Sequence, residues 1–214
     1  MAKKELMIKI CGMRDIQNIT ELIKLPIQYI GHIFYEKSAR YFDDINSISI
    51  PSHIKKTGVF VNSSIEEIKN KIEKHQLFAI QLHGSESVEF IEQLKLENIE
   101  IIKAFGVDDN FNWDILASYE GKVDYFLFDT KSPSHGGTGR TFDWEILNGY
   151  PYSTPYFLSG GLSLENLEEA IKIQDERFKG LDLNSKFEIE PGIKDIEKIK
   201  IALKIIENEQ ISSR

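Results

Sequence analysis

Eight short apolar segments recur along the chain, and each is followed by a polar loop and, in most cases, by a segment with helical periodicity. The apolar segments are residues 6–10, 27–34, 57–61, 78–82, 99–104, 125–128, 156–158 and 180–183. Such alternation predicts parallel strands joined by right-handed crossovers. The near-continuous apolar character of these runs is typical of strands that are covered on both faces.

The segments between these strands predict helices. One is expected to begin after Asp15 as its N-cap, and another after Ser64, where Glu67 follows at capping-box spacing. Further helices are predicted over residues 85–96, 111–119, 142–147, 163–173 and 193–207, and a short one over residues 43–52. Each predicted strand except the second therefore has a well-defined helical partner.

Eight such units in 214 residues predict an α/β fold, a (β/α)₈ TIM barrel in a single domain over residues 1–214. The structural alternative is a doubly wound open sheet, in which a glycine-rich fingerprint should follow the first strand. Residues 11–15 occupy that position here and lack the three-glycine spacing. The closed barrel is therefore the favoured architecture.

The composition excludes several classes of function. A net charge of −8 argues against a protein that binds nucleic acid or an anionic membrane, because both need a basic face. No apolar run approaches the roughly 20 residues that a membrane helix requires, and the N-terminus lacks a signal core, so we expect a cytoplasmic protein. Cys11 is the only cysteine, which excludes an internal disulfide and a multi-thiolate metal site, and we predict no metal.

Polar residues stand where the predicted strands end, which is where a barrel of this kind does its chemistry. They are Cys11 after the first strand, Arg40 after the second, His83 after the fourth, Asp129 after the sixth, Gly160 and Gly161 after the seventh, and Asp182, Asn184 and Ser185 at the eighth. Structural alternatives exist. Cys11 can be a small buried apolar side chain, and Asp129 can pair with Lys131. Arg40 can be a surface arginine, and His83 can satisfy a buried polar group.

The functional interpretation is that these residues share one rim. A thiol and a carboxyl group can divide proton transfer, so Cys11 and Asp129 are candidates for catalysis. Arg40 can hold a carboxylate through two parallel hydrogen bonds. Gly160 and Gly161, which are predicted to open a helix, offer backbone N–H groups to a phosphate. Asn184 and Ser185 would add donors to that site, and Gly136 and Gly137 lie in a glycine-rich loop after Asp129, which we interpret as a mobile cover over the substrate.

Together these motifs resemble the phosphoribosylanthranilate isomerases of tryptophan biosynthesis, in the same order and over nearly the whole chain. The matching segments lie within residues 9–12, 31–41, 81–84, 129–144, 159–166 and 182–192. Two positions depart from the family pattern. Ala39 stands where the family usually has proline, and Lys186 stands where it often has glycine, so a positive φ at Lys186 would be strained.

The resemblance implies a cofactor-free Amadori rearrangement of a phosphosugar substrate by a monomer or a homodimer. The aspartate matching Asp129 would be the general acid, and the cysteine matching Cys11 would be the general base. The arginine matching Arg40 would hold the anthranilate carboxylate, and the loops at Gly160–Gly161 and Asn184–Ser185 would hold the phosphate. His83 and Asp182 would line the substrate.

Two other classes of function are alternatives for this sequence. Another phosphosugar barrel, such as an indole-glycerol-phosphate synthase or the isomerase of histidine biosynthesis, would need strand-end lysine and glutamate pairs or a pair of acid–base aspartates. A non-catalytic phosphosugar-binding barrel would keep Gly160 and Gly161 but has no need for Cys11, Asp129 and Arg40 on the same rim.

Overall fold

The computed structural model describes residues 5–43, 49–94, 98–131 and 142–212. A closed barrel is formed by β1 (Met7–Ile10), β2 (Tyr29–Ile33), β3 (Lys55–Phe60), β4 (Ala79–Leu82), β5 (Glu100–Val107), β6 (Tyr125–Thr130), β7 (Tyr156–Leu158) and β8 (Phe178–Leu183). Each strand pairs in parallel with the next, and β8 pairs with β1 to close the ring. The predicted eight-stranded parallel barrel is therefore confirmed.

Helices connect most of the strands on the outside of the barrel. The α-helices are α1 (Ile16–Leu22), α2 (Ile65–His75), α3 (Val88–Leu94), α4 (Leu167–Ile171) and α5 (Ile196–Ser212). Three 3₁₀ helices span Trp113–Tyr119, Trp144–Gly149 and Ser185–Phe187. In the part of the chain that is described, no helix is both long and apolar enough to cross a membrane.

Two of the predicted helix starts are confirmed by their caps. The Asp15 carboxylate accepts a hydrogen bond from the backbone N–H of Asn18 at 2.8 Å, and α1 begins one residue after Asp15. The Ser64 hydroxyl oxygen accepts from the backbone N–H of Glu67 at 3.1 Å at the start of α2. Each cap satisfies one of the backbone donors that a helix N-terminus leaves unpaired.

The predicted helices over residues 111–119 and 142–147 are 3₁₀ helices rather than α-helices. In each, an Asx side chain accepts from the backbone N–H two residues on: Asn112 from Asp114 at 3.0 Å, and Asp143 from Glu145 at 2.9 Å. Local side-chain bonds of this kind compete with the regular α-helical ladder and favour a tight turn. The helical segments in the connections after β5 and β6 are therefore tight 3₁₀ turns.

Helix boundaries near the C-terminus also differ from prediction. The helix expected over residues 163–173 shrinks to α4, because Asn166 accepts from the Ser163 N–H at 2.8 Å and donates to the Gly161 carbonyl at 3.0 Å, which holds this stretch in turns. The helix expected from residue 193 begins at Ile196. Residues Ile193–Lys194 instead form β10, which pairs antiparallel with β9 (Glu188–Glu190). Half of the short helix predicted over residues 43–52, residues 44–48, lies outside the described residues, and residues 49–52 are not helical.

Strand β6 illustrates why the strands read as apolar runs. Phe126, Leu127 and Phe128 are all fully buried. Phe126 and Phe128 pack in the outer core between the barrel and its helices, whereas Leu127 packs inside the barrel with Phe157 and Tyr29. Successive side chains of a strand point to opposite faces, so a strand covered on both faces needs apolar residues at every position. The same alternation places Asp129 on the inner face, two residues beyond Leu127.

Candidate active site

The predicted rim residues converge on one cavity at the carboxyl ends of the strands. Side chains from seven strands or the loops that follow them contribute to its wall. The lining includes Cys11, Tyr35, Ser38, Arg40, Gln81, His83, Asp129, Ser159, Asp182 and Asn184. Gly160, Gly161 and Ser185 lie next to residues of this wall in the chain, whereas Gly136 and Gly137 fall outside the described residues.

Asp129 lies inside β6, in register with Gly106 of β5, rather than beyond the end of the strand. The ordered backbone fixes where its carboxylate points. That side chain is 22% exposed, and one carboxylate oxygen lies 3.5 Å from Nε2 of His83. It also faces a second, neighbouring cavity lined by Lys103, Phe105 and Thr130. A carboxyl group held in this way, with access to both cavities, is placed to exchange a proton with a bound molecule.

His83 is oriented by a partner on its own strand end. The Gln81 side-chain nitrogen lies 2.9 Å from Nδ1 of His83. With Gln81 donating, Nδ1 is the acceptor, so the neutral imidazole carries its proton on Nε2, the nitrogen that faces Asp129. The sequence left the role of His83 open, and the structure puts its imidazole against the candidate acid.

Cys11 follows β1 directly and is almost completely buried, with a 3% exposed side chain. Its backbone N–H donates to the Leu183 carbonyl at 3.0 Å, which ties it to the end of β8. A β-carbon added to Gly31 would lie only 2.8 Å from the Cys11 sulfur, so glycine at that position of β2 makes room for the thiol. Burial raises the pKa of Cys11, while the positive charges of Lys9 and Lys194 oppose that rise.

Lys9 and Asp182 form an ion pair inside the barrel. They are register partners on β1 and β8, and the Lys9 ammonium donates to a carboxylate oxygen of Asp182 at 2.9 Å. Asp182 therefore lies within β8, in agreement with the strand predicted over residues 180–183. Sequence reasoning missed Lys9, although a lysine two residues before Cys11 in an apolar strand has to point to the same face as the cysteine.

Arg40 is bound by a carboxylate that the sequence analysis did not consider. Its Nε lies 2.9 and 3.0 Å from the two oxygens of Glu188, and its Nη2 lies 2.7 Å from one of them. The guanidinium packs over Gly12, whose φ is +79° and whose added β-carbon would lie 2.8 Å from Cδ of Arg40. Hydrogen bonds from Nε and Nη2 along one edge, together with a close backbone contact, fix the plane of the guanidinium.

Lys194 links Glu188 to Asn184. Its fully buried ammonium donates to Glu188 at 2.6 Å and to the side-chain oxygen of Asn184 at 2.7 Å. Burial lowers the pKa of Lys194 to about 8, and Glu188 partly offsets that effect. Burial acts to raise the pKa of Glu188, but the hydrogen bond from Arg40 and the charge of Lys194 outweigh it and the pKa is lowered. The Asn184 oxygen is thus occupied, which leaves its N–H groups for a ligand.

Gly160 and Gly161 have φ values of +80° and +66°. An added β-carbon on Gly160 would lie 2.3 Å from the backbone nitrogen of Thr130 and 2.6 Å from a carboxylate oxygen of Asp129. The two glycines therefore bring the β7 loop against the candidate acid. The prediction that these two glycines open a helix directly is wrong, because α4 begins only at Leu167.

The departure at Lys186 carries no backbone strain. Lys186 lies in the 3₁₀ helix Ser185–Phe187, and it is not among the residues with positive φ. Its side chain is exposed, and its carbonyl accepts a hydrogen bond from Lys198 at 3.3 Å. Lysine in place of glycine is therefore accommodated by a helical turn that any residue can adopt.

Comparison with known proteins agrees with this geometry. Residues 8–205 match the family described as N-(5'phosphoribosyl)anthranilate (PRA) isomerase. The N-(5'-phosphoribosyl)anthranilate isomerase of Parabacteroides distasonis is 46% identical over 204 residues, covering 91% of this chain and 90% of that protein.

Solved structures of the same kind of enzyme superpose closely. The phosphoribosyl anthranilate isomerase of Thermotoga maritima has a TM-score of 0.85 at 33% identity, covering 95% of this chain and 99% of that one. A phosphoribosyl anthranilate isomerase in complex with reduced 1-(o-carboxyphenylamino)-1-deoxyribulose 5-phosphate has a TM-score of 0.80 at 31% identity, with the same coverage.

Proposed function

Because the chain belongs to the N-(5'-phosphoribosyl)anthranilate isomerase family, we propose that Cys11 and Asp129 divide between them the proton transfers of the family's reaction. The chain catalyses the conversion of N-(5'-phosphoribosyl)anthranilate to 1-(2-carboxyphenylamino)-1-deoxyribulose 5-phosphate, an Amadori rearrangement in tryptophan biosynthesis. The observation that carries the residue-level proposal is that Cys11, Arg40 and Asp129 line one cavity.

Asp129 is the general acid of the proposed mechanism. It gives its proton to the ribose ring oxygen as the bond between that oxygen and C1 breaks, and the lone pair of the anthranilate nitrogen forms the C1=N bond of a protonated Schiff base. Support comes from the position of the carboxylate on the inner face of β6, at 3.5 Å from His83. General acid catalysis of this kind typically accelerates a reaction by about 10²–10⁴-fold.

Cys11 is the general base. Its thiolate takes the proton from C2, and the electron pair of that C–H bond forms the C1=C2 bond while the Schiff-base nitrogen recovers its lone pair. The resulting enol ketonises by proton return to C1 and proton loss from the C2 hydroxyl, so the sequence of steps is a net isomerisation without an oxidant or a cofactor. Support comes from the buried sulfur on the cavity wall, beside two buried lysines.

The two anionic groups of the substrate have separate partners in this proposal. Glu188 uses Nε and Nη2 of Arg40, so the N–H groups of Nη1 are not taken by Glu188 and receive the anthranilate carboxylate. Backbone N–H groups of Gly160 and Gly161, with donors from Asn184 and Ser185, receive the phosphate. This division suits an acidic protein, because the local positive charge is built into the site rather than spread over the surface.

Turnover of the purified protein tests the assignment, with loss of the anthranilate-type fluorescence of the substrate as the signal. We expect Asp129→Asn to lower kcat by about 10²-fold or more and Cys11→Ser to lower it severely. Asp114→Asn makes the same chemical change at an exposed position and should leave kcat unchanged. Wild-type rates in both site variants would refute the proposed roles, and absence of turnover in the folded wild-type protein would refute the function.

The location, domain organisation and oligomeric state of the enzyme are part of the same proposal. We infer a cytoplasmic enzyme of one domain that works as a monomer or a homodimer on its phosphosugar substrate. Gly136 and Gly137 retain the predicted role of a cover over that substrate, and their loop lies outside the described residues.

A further inference from the structure

A fully buried ammonium group lies beneath the cavity. An apolar side chain could be buried there without the free-energy cost of removing a charge from water. Lys9 is 0% exposed, and β1 directs it into the barrel interior on the same face as Cys11. Its register partner on β2 is Tyr29, which belongs to the apolar cluster inside the barrel. Removing an ammonium ion from water costs several kcal/mol. Folding alone does not require a lysine here, which points to a function for its charge.

The Lys9 ammonium has a charged partner in Asp182 and lies on the same strand face as Cys11. It donates to a carboxylate oxygen of Asp182 at 2.9 Å. Lys9 and Cys11 are two residues apart at the end of β1, so both side chains point into the barrel and the positive charge of Lys9 acts on the sulfur. An ammonium group has three N–H donors, so the bond to Asp182 leaves donors that can face the sulfur.

We propose that Lys9 is a positioning residue whose ammonium stabilises the thiolate form of Cys11 relative to the thiol, with Asp182 orienting that ammonium inside the barrel. This inference rests on the proposed role of Cys11 as the base that takes the C2 proton. A thiol in this position needs a cation, because burial by itself disfavours the thiolate, which is the form that accepts a proton. When Cys11 takes the proton, the sulfur becomes neutral and Lys9 keeps Asp182 as its charged partner.

Other charged groups surround the sulfur, and their signs decide how the site titrates. Those that act on Cys11 or share its cavity are Lys9 on β1, Asp182 on β8, Lys194 on β10, Arg40 after β2, His83 after β4 and Asp129 on β6. Lys9 is the cation that stands on the same strand face as the sulfur, two residues before it, and its positive charge favours the thiolate. Asp182 acts in the opposite direction, because its negative charge disfavours the thiolate.

These opposite signs separate the proposal from a purely structural role. Removing the positive charge with Lys9→Met should leave less thiolate at a given pH. Removing the negative charge with Asp182→Asn should leave more thiolate at a given pH. The carboxylate that disfavours the thiolate is gone, and the Lys9 ammonium then interacts with the thiolate instead of with Asp182. Both substitutions break the same ion pair, so a structural effect alone would move the two variants in the same direction.

The experiment measures the thiolate directly in the free enzyme. Because Cys11 is the only cysteine, the rate of iodoacetamide modification followed by mass, and the thiolate absorbance relative to Cys11→Ser, report on this sulfur alone. At neutral pH, we expect Lys9→Met to slow the modification about tenfold or more, and Asp182→Asn to speed it. Lys55→Met, which removes a lysine paired with Glu100 at the start of β3, serves as the control and should leave the rate unchanged.

A slower modification rate in Lys9→Met together with a faster rate in Asp182→Asn would support the proposal. Equal modification rates in Lys9→Met and wild type, or a slower rate in Asp182→Asn than in wild type, would overturn it. If Lys9→Met does not fold by circular dichroism, the direction of the change in Asp182→Asn decides alone. The proposed function fails separately, since its test is turnover by the wild type and loss of turnover in Cys11→Ser, whereas this test needs no substrate.

Discussion

At the scale of single residues, the site is built from charges that are paired before any substrate arrives. Arg40 is held by Glu188, and Glu188 is held in turn by Lys194. Such a network keeps the guanidinium in one orientation, so little conformational entropy is lost when a carboxylate binds to its remaining N–H groups. Preorganisation of this kind depends on the planar shape of arginine and not only on its charge.

Arg40→Lys should therefore raise KM by about tenfold to a hundredfold, because a lysine ammonium lacks the planar shape that lets Arg40 bind Glu188 along one edge and offer its remaining N–H groups to the substrate carboxylate. Steady-state kinetics with the anthranilate substrate measure this change. Arg177→Lys is the control, since Arg177 is bound by Asp175 near the other end of β8 and should affect stability without affecting KM. An unchanged KM in Arg40→Lys would remove Arg40 from the substrate site.

The pairing of these residues could not be predicted from the sequence. Arg40 and Glu188 are 148 positions apart, and Lys9 and Asp182 are 173 positions apart. Strand periodicity predicts which residues reach the rim, and it identified Cys11, Arg40, His83 and Asp129 as rim residues. It does not predict which rim residues touch each other, because that depends on the register and closure of the barrel.

At the scale of elements, the loop after β7 depends on backbone that approaches β6 closely. Gly160→Ala should disrupt this approach for two reasons, a left-handed backbone and a β-carbon at 2.3 Å from the Thr130 nitrogen. Gly121 has a φ of +70° and nothing within 4 Å of an added β-carbon, so Gly121→Ala isolates the cost of the left-handed backbone.

We expect Gly160→Ala to be destabilised by about 1–3 kcal/mol more than Gly121→Ala, since overpacking adds to the backbone strain. Because the displaced atoms include Asp129, kcat should also fall in Gly160→Ala and not in Gly121→Ala. Chemical denaturation and turnover measure the two effects. Equal free energies of unfolding in the two variants would contradict the close approach of β7 to β6.

The sequence predicts the barrel strands better than the short helices and the β9–β10 hairpin, because only the strands have a clear hydrophobic pattern. All eight strands were placed within a few residues, because a strand buried on both faces has a continuous apolar sequence. The sequence predicts helices after β5 and β6 but not their 3₁₀ type, because apolar spacing fits both helix types and the Asx bonds at Asn112 and Asp143 decide between them. The β9–β10 hairpin was missed because three-residue and two-residue strands have too little periodicity to recognise.

At the scale of the whole molecule, stability should depend on pH through a buried histidine whose side chain lies outside the catalytic cavity. His32 is nearly fully buried, its Nδ1 lies 2.9 Å from the Met13 carbonyl, and burial lowers its pKa to about 4. The unfolded chain protonates His32 near its ordinary pKa of about 6.5. Between these two values the unfolded state binds the proton and the folded state does not, so stability is lost as the pH falls from about 6.5 to 4.

The expected loss from this group is about 3 kcal/mol across that interval, which follows from the difference between the two pKa values. The free energy of unfolding measured between pH 7 and pH 4 should fall less steeply in His32→Gln than in wild type. His53→Gln removes an exposed histidine and should keep the wild-type pH dependence. An equally steep fall in His32→Gln and wild type would show that His32 is not responsible.

The central claim, that Asp129 opens the sugar ring and Cys11 then removes the C2 proton, is tested most directly by separating the two steps. Stoichiometric enzyme is mixed with the anthranilate substrate and quenched with borodeuteride. The reduced open-chain Schiff base carries deuterium at C1, whereas the reduced product carries it at C2, so fragment masses count the Schiff base separately, against an enzyme-free control. Cys11→Ala should accumulate the Schiff base above the control level, because the ring opens and the next step is blocked, and Asp129→Asn should show only the control level. Schiff base above the control level with Asp129→Asn and not with Cys11→Ala would contradict the account.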